Sequence, residues 1–148
     1  MNPEGMVHAL EIAHRLLKSD GYLIEIHPSS DPPPIVVRQV ENEMLVGWLR
    51  ETDDFIEYEQ ASRALEEAIN QGWFSLDEQG EFIFTTHASS LPELLEFLAA
   101  EWKDAVIPPE AISGIEAKYQ DGSHEREIII TERILIARYS KLITTEVQ

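Results

Sequence analysis

Residues 6–26 read Met-Val-His-Ala-Leu-Glu-Ile-Ala-His-Arg-Leu-Leu-Lys-Ser-Asp-Gly-Tyr-Leu-Ile-Glu-Ile. Val7, Leu10, Ala13 and Leu17, with Leu16 beside them, recur at helical spacing and predict a helix over 6–18. His14, Arg15 and Lys18 fall in its last turn, where cations suit the helix dipole. Ser19-Asp20-Gly21 breaks the helix, with Gly21 expected in a left-handed conformation. Tyr22–Ile26 is apolar except for Glu25, the pattern of a strand inside a sheet covered on both faces. Helix, tight turn and central parallel strand make half of a βαβ crossover, so the expected class is α/β.

Outward from this stretch, His27–Pro34 carries four prolines and reads as an extended loop, because proline removes a donor and fixes φ. Ile35–Val40 and Met44–Leu49 are β-rich, and Glu41-Asn42-Glu43 between them reads as a hairpin turn. Tyr58, Ala61, Leu65, Ala68 and Ile69 mark an amphipathic helix ended by Gly72. Trp73-Phe74 and Glu81–Thr86 read as β structure on either side of a turn at Asp77–Gly80. Ser90-Leu91-Pro92-Glu93 is a capping box opening a helix that carries Leu94, Leu95, Leu98 and Trp102. Pro108-Pro109 starts another helix, through Ile112, Ile115 and Tyr119. After a turn at Asp121-Gly122, a long strand runs from about Glu125 to Tyr139, with Glu132-Arg133 marking a bulge or a sheet edge.

Composition bounds the function. The 148 residues form one expected domain, with 11 Lys or Arg against 28 Asp or Glu, a net charge of −17. That charge repels phosphate backbones and anionic membranes, so no nucleic-acid or membrane partner is expected. No cysteine is present, which excludes disulfides, thiolate metal sites and thiol nucleophiles. No apolar run approaches the length of a membrane span and no secretory leader is visible, so the expected location is the cytoplasm. Residues 41–67 hold nine acidic residues against Arg50 and Arg63, which reads as a solvated face.

The segment Ala9–Ile26 resembles a stretch of class I S-adenosylmethionine-dependent methyltransferases, which carry a pattern like A-L-x-E-x-x-R-V-L-K-P-G-G-x-L-x-I through the fifth strand of their sheet. Ala9, Leu10, Arg15, Leu17, Lys18 and Gly21 fit this pattern; Ser19 and Asp20 depart from its proline and glycine. The resemblance implies the C-terminal half of that Rossmann-like fold, a mixed sheet with an inserted hairpin and extra helices. Glu81–Thr86 would be the sixth strand. The segment from Glu125 would be the seventh, antiparallel between the fifth and sixth. The family's cofactor site lies in the other half of its fold and needs a glycine-rich turn. The glycines here, at 5, 21, 47, 72, 80, 114 and 122, form no G-x-G, so no residue is assigned as an S-adenosylmethionine ligand.

Ligands in open α/β sheets sit beyond the carboxyl ends of strands, which makes His27, Ser29 and Asp31 the candidate substrate-binding residues. The other reading of His27 is a loop histidine bonded to backbone. No catalytic residue is assigned. His8, His14, His27, His87 and His124 show no ligand spacing, and Asp53-Asp54 with Glu57 and Glu59 lacks the EF-hand pattern, so no metal is expected. Trp48, Trp73 and Trp102 read as packing residues, with an aromatic cage for a cation as the alternative.

The resemblance leaves strand Tyr22–Ile26 without its usual neighbour. An unpaired apolar edge is a liability that another chain, or a fold-back, removes. Three solutions follow: a homodimer through this edge, a separate chain carrying the N-terminal methyltransferase half, or the hairpin at 35–49 folding over it. The leading expectation is a non-catalytic, methyltransferase-like protein acting through self-association. The alternatives are the substrate-side half of a split methyltransferase and a module that binds a small cationic ligand.

Overall fold

A computed structural model describes residues 3–53, 55–120 and 125–143. The chain is α/β, with four helices and a mostly antiparallel open sheet: α1 (Pro3–Leu16), β1 (Tyr22–Pro28), β2 (Pro34–Gln39), β3 (Asn42–Trp48), β4 (Arg50–Glu51), α2 (Ile56–Asn70), β5 (Phe74–Ala88), α3 (Leu91–Glu101), β6 (Ala105–Val106), α4 (Pro109–Tyr119) and β7 (Arg126–Lys141). Two compact units divide it. Unit 1 comprises Met1–Ser30, Ile56–Phe82 and Ile134–Gln148; unit 2 comprises Asp31–Phe55 and Ile83–Arg133. The long strands β5 and β7 pair with each other, and each contributes residues to both units.

In unit 1, β1 pairs antiparallel with β7, from Tyr22 opposite Ser140 to Pro28 opposite Ile134. Alternation places Leu23, Glu25 and His27 on one face of β1, and Tyr22, Ile24 and Ile26 on the other. The first face carries the core: Leu65, Ala68, Phe74, Ala137 and Tyr139, with Leu10, Leu17, Leu23 and Trp73 packed against it. The second is open, and Tyr22, Ile24 and Ile26 stay 57%, 54% and 56% exposed. The expectation of a central parallel strand covered on both faces is therefore corrected. Among the described residues β1 has β7 as its one strand neighbour, antiparallel, and only one face is covered. An apolar run cannot distinguish a doubly covered strand from one whose second face is left open.

Helix α1 starts earlier than its periodicity predicts and stops at Leu16. Gly21 is not left-handed; its N–H donates to Lys18 O at 2.9 Å in an ordinary turn. Lys141 Nζ donates to Leu17 O at 2.8 Å, and His14 Nε2 bonds Leu142 O at 2.8 Å. These contacts tie the helix end to the strand that follows 134. Helix α2 does end at a left-handed glycine, Gly72, with φ +77°. Trp73 N–H donates to Ala68 O and Gly72 N–H to Ile69 O, the paired bonds of a Schellman cap.

In unit 2, β2 lies between β3 and β7, antiparallel to both. Ile35, Val37, Ile128 and Ile130 pack with Leu94 and Leu98 of α3 and Ala111 and Ile115 of α4. Each of the Ile, Val and Leu side chains contributes about 2 kcal/mol by leaving water. The hairpin turns at Val40-Glu41, earlier than its polar residues suggest, and holds Val40 at φ +50°. The register shifts between Ile35 and Val36, with Val46 the extra residue on β3. There α4 crosses β3 closely. A Cβ at Gly47 would meet Ala111 Cβ at 2.8 Å, and one at Gly114 would meet Val46 Cβ at 3.1 Å.

The capping box forms, but differently. Ser90 Oγ accepts from Glu93 N–H at 3.2 Å, while the Glu93 carboxylate reaches back to Ser89, accepting from its N–H at 3.1 Å and from its hydroxyl. That bonding holds the Glu93 carboxyl below the usual carboxylate range. The turn expected at Asp77–Gly80 is absent: those residues belong to the 15-residue strand β5. β5 pairs with β7, and a strand ladder can outweigh a local turn preference. The short pair β4 and β6 had no sequence signal. The turn at Asp121-Gly122, like Asp54 and His124, lies outside the described residues.

Candidate functional site

Glu25 and His27 are two apart on β1, so both side chains project from the covered face toward α2. His27 Nδ1 bonds the Glu25 carboxylate, and Nε2 lies 3.1 Å from Ser62 Oγ on α2. Ser62 Oγ is also 3.3 Å from Tyr58 O, one helical turn back. The His27 and Glu25 side chains are only 13% and 18% exposed. A carboxylate can only accept, so Nδ1 carries a proton, and the tautomer of a neutral ring is thereby fixed.

This cluster lines a cleft of about 510 Å³ within unit 1. Its walls are apolar, from Leu65, Ile69, Leu76 and Leu135, and its polar lining adds Glu66, Gln79 and Glu81. No Lys or Arg is among the lining residues. The cleft therefore disfavours anions and suits neutral or cationic groups. Burial pushes the Tyr139 phenol up, and the Glu25 charge adds to the effect.

Of the three candidates from sequence, His27 lines this cleft and Ser29 and Asp31 do not. Ser29 is buried in unit 1. Asp31 belongs to unit 2, where Arg133 Nη2 donates to it at 2.6 Å. Sequence reasoning missed Glu25 and Ser62. The signal for Glu25 existed: it is the one charge in an apolar strand, on the same face as His27. Ser62, 35 residues further on, carried none.

Unit 2 holds a second cluster, in an open hollow of about 950 Å³. The Glu127 carboxylate takes His87 Nδ1 at 2.5 Å and Arg38 Nη2, and the His87 bond is the main reason its carboxyl sits below the usual range. Arg126 stacks 5.8 Å from the Tyr119 ring centroid. Burial raises the Tyr119 phenol, whose O–H donates to Ser89 O at 3.0 Å. The Glu127 charge is paired with that of Arg38, which lies opposite it on β2.

Trp102 Nε1 donates to buried Glu51 at 3.0 Å, Trp73 packs on the unit 1 core, and Trp48 is half-exposed on β3. Glu51 is thus an exception to the solvated reading of the acidic stretch. Asp53 accepts from Phe55 N–H at 3.1 Å, a turn just before α2. Among the described residues no three His, Asp or Glu side chains are grouped to hold a metal ion, and no helix is long and apolar enough to cross a membrane. No family model matches this chain, and neither a curated protein nor a solved structure matches it.

Proposed function

We propose that the chain is a methyltransferase-like protein that acts through self-association and binds no S-adenosylmethionine by itself. The carrying observation is β1: one strand neighbour among the described residues, and three large apolar side chains more than half exposed on one face. A two-fold partner would pair β1 with its own copy, Ile24 opposite Ile24 and Tyr22 opposite Ile26. The local topology supports the family likeness, since helix α1 leads into β1, β1 is antiparallel to β7, and β7 also pairs with β5. That is the order implied for strands five, seven and six. The absence of any G-x-G supports the cofactor part of the reading.

The energetics favour a weak dimer. Edge pairing sets Tyr22, Ile24 and Ile26 beside their copies and covers part of each, a gain of up to about 1 kcal/mol for each of the six side chains. Ladder hydrogen bonds add about 1 kcal/mol apiece. Association costs about 4–15 kcal/mol, and at the lower end of that cost the balance corresponds to dissociation in the micromolar-to-millimolar range. Sedimentation velocity across that range tests the reading. A concentration-dependent rise toward twice 16.9 kDa, abolished by Ile24→Lys, is the expected result. A monomer throughout overturns it.

The Glu25–His27–Ser62 cleft favours a second reading, the substrate-side part of a methyltransferase completed by a separate cofactor-binding chain. S-adenosylmethionine binding that appears only on mixing with such a chain would select it.

A further inference from the structure

We propose that Ser62 is a nucleophilic serine, activated by the His27–Glu25 pair, that takes acyl groups from small neutral or cationic esters. The inference goes beyond self-association and stands on different residues. Three geometric facts carry it. Ser62 Oγ is 3.1 Å from His27 Nε2, within reach for proton transfer. The opposite ring nitrogen bonds Glu25, which fixes the tautomer and stabilises the imidazolium as it forms. All three line one cleft of about 510 Å³. His27 links a carboxylate to a hydroxyl at the cavity wall.

The step balances as follows. Ser62 Oγ attacks the ester carbonyl carbon and its proton passes to His27 Nε2. The tetrahedral adduct collapses, the carbon–oxygen bond to the alcohol breaks, and the leaving alkoxide takes the proton from Nε2. Water then attacks the acyl-Ser62, gives a proton to Nε2, and releases the carboxylic acid as Ser62 Oγ recovers that proton. Gln79 is the one side-chain amide among the lining residues, the group type that can donate to a developing oxyanion. Glu66 and Glu81 repel anionic substrates. The Ser62 hydroxyl can instead donate to Tyr58 O, so a slow enzyme is expected.

The test is diisopropyl fluorophosphate on the full chain, with the adduct mapped by peptide mass spectrometry. An oxygen–phosphorus bond forms at Ser62, fluoride leaves, and the hydroxyl proton goes to His27. The expected result is one adduct, on Ser62, with the rate falling about 100-fold or more in His27→Gln. p-Nitrophenyl acetate hydrolysis should fall with it and vanish in Ser62→Ala. Mapping the unaltered chain needs no variant to fold. An unlabelled Ser62, or labelling unchanged in a folded His27→Gln, overturns the proposal.

Discussion

Gly47→Ala tests the packing of unit 2 with a single methyl group. Carbon atoms in contact settle near 3.5–4.0 Å. The new Cβ would lie 2.8 Å from Ala111 Cβ and 3.5 Å from Ala111 Cα, a shortfall of about 1 Å at the nearest atom. Neither atom can move aside, because Ala111 is fully buried on α4 and its Cβ has no torsion that removes it. Either α4 lifts off β3 or β3 bends, and overpacking of this kind costs about 1–3 kcal/mol. Reduced unfolded-state freedom returns about 0.4–1 kcal/mol. The net expectation is a loss of about 1–2 kcal/mol, or a fall in Tm of roughly 2–8 °C for a chain of this size. Urea denaturation of Gly47→Ala, Ala111→Gly and the double variant measures it. Ala111→Gly should itself cost about 1 kcal/mol on a helix, and the double variant should lose less than the sum of the two single losses by about 1 kcal/mol. Gly80→Ala is the control, since nothing lies within 4 Å of its added Cβ. A neutral Gly47→Ala, or two losses that simply add, would refute the close approach of α4 to β3.

Other outcomes follow from single sites. Gly72→Ala should cost about 1 kcal/mol although its Cβ meets open space, because only φ +77° opposes it; an unchanged denaturation midpoint would contradict the Schellman cap. Glu132 has its carboxyl pushed up, first by burial and then by the charge of Glu51. A raised folded value means the native state holds the proton longer, so stability falls as pH rises through that window. Glu132→Gln should therefore be more stable than the parent at neutral pH and equal to it well below pH 4.5. Glu127 has the opposite sign: its depressed carboxyl stabilises above the unfolded value, and the benefit is lost as pH falls through the folded one. Glu127→Gln should flatten the acid limb of the stability profile, and an unaltered limb would argue against the His87 and Arg38 bonds.

The sequence by itself determined the elements whose signals are local. Helical periodicity located α2, α3 and α4, and the Gly72 stop and Ser90 cap fell where backbone chemistry requires them. It also located the strands of the hairpin, and His27 at the end of an apolar strand. Tertiary structure decided what depends on partners distant in the chain. Asp77–Gly80 extends as part of β5, a strand that pairs with β7, and a ladder can outweigh a turn preference of a fraction of a kcal/mol. Which face of β1 is covered was settled by α1 and α2, since the apolar residues Tyr22, Leu23, Ile24 and Ile26 fit either face. The candidate site divides the same way. Alternation along β1 could have joined Glu25 to His27, but Ser62 reaches them only because α2 folds onto that face. No local pattern encodes a contact made across 35 residues of chain.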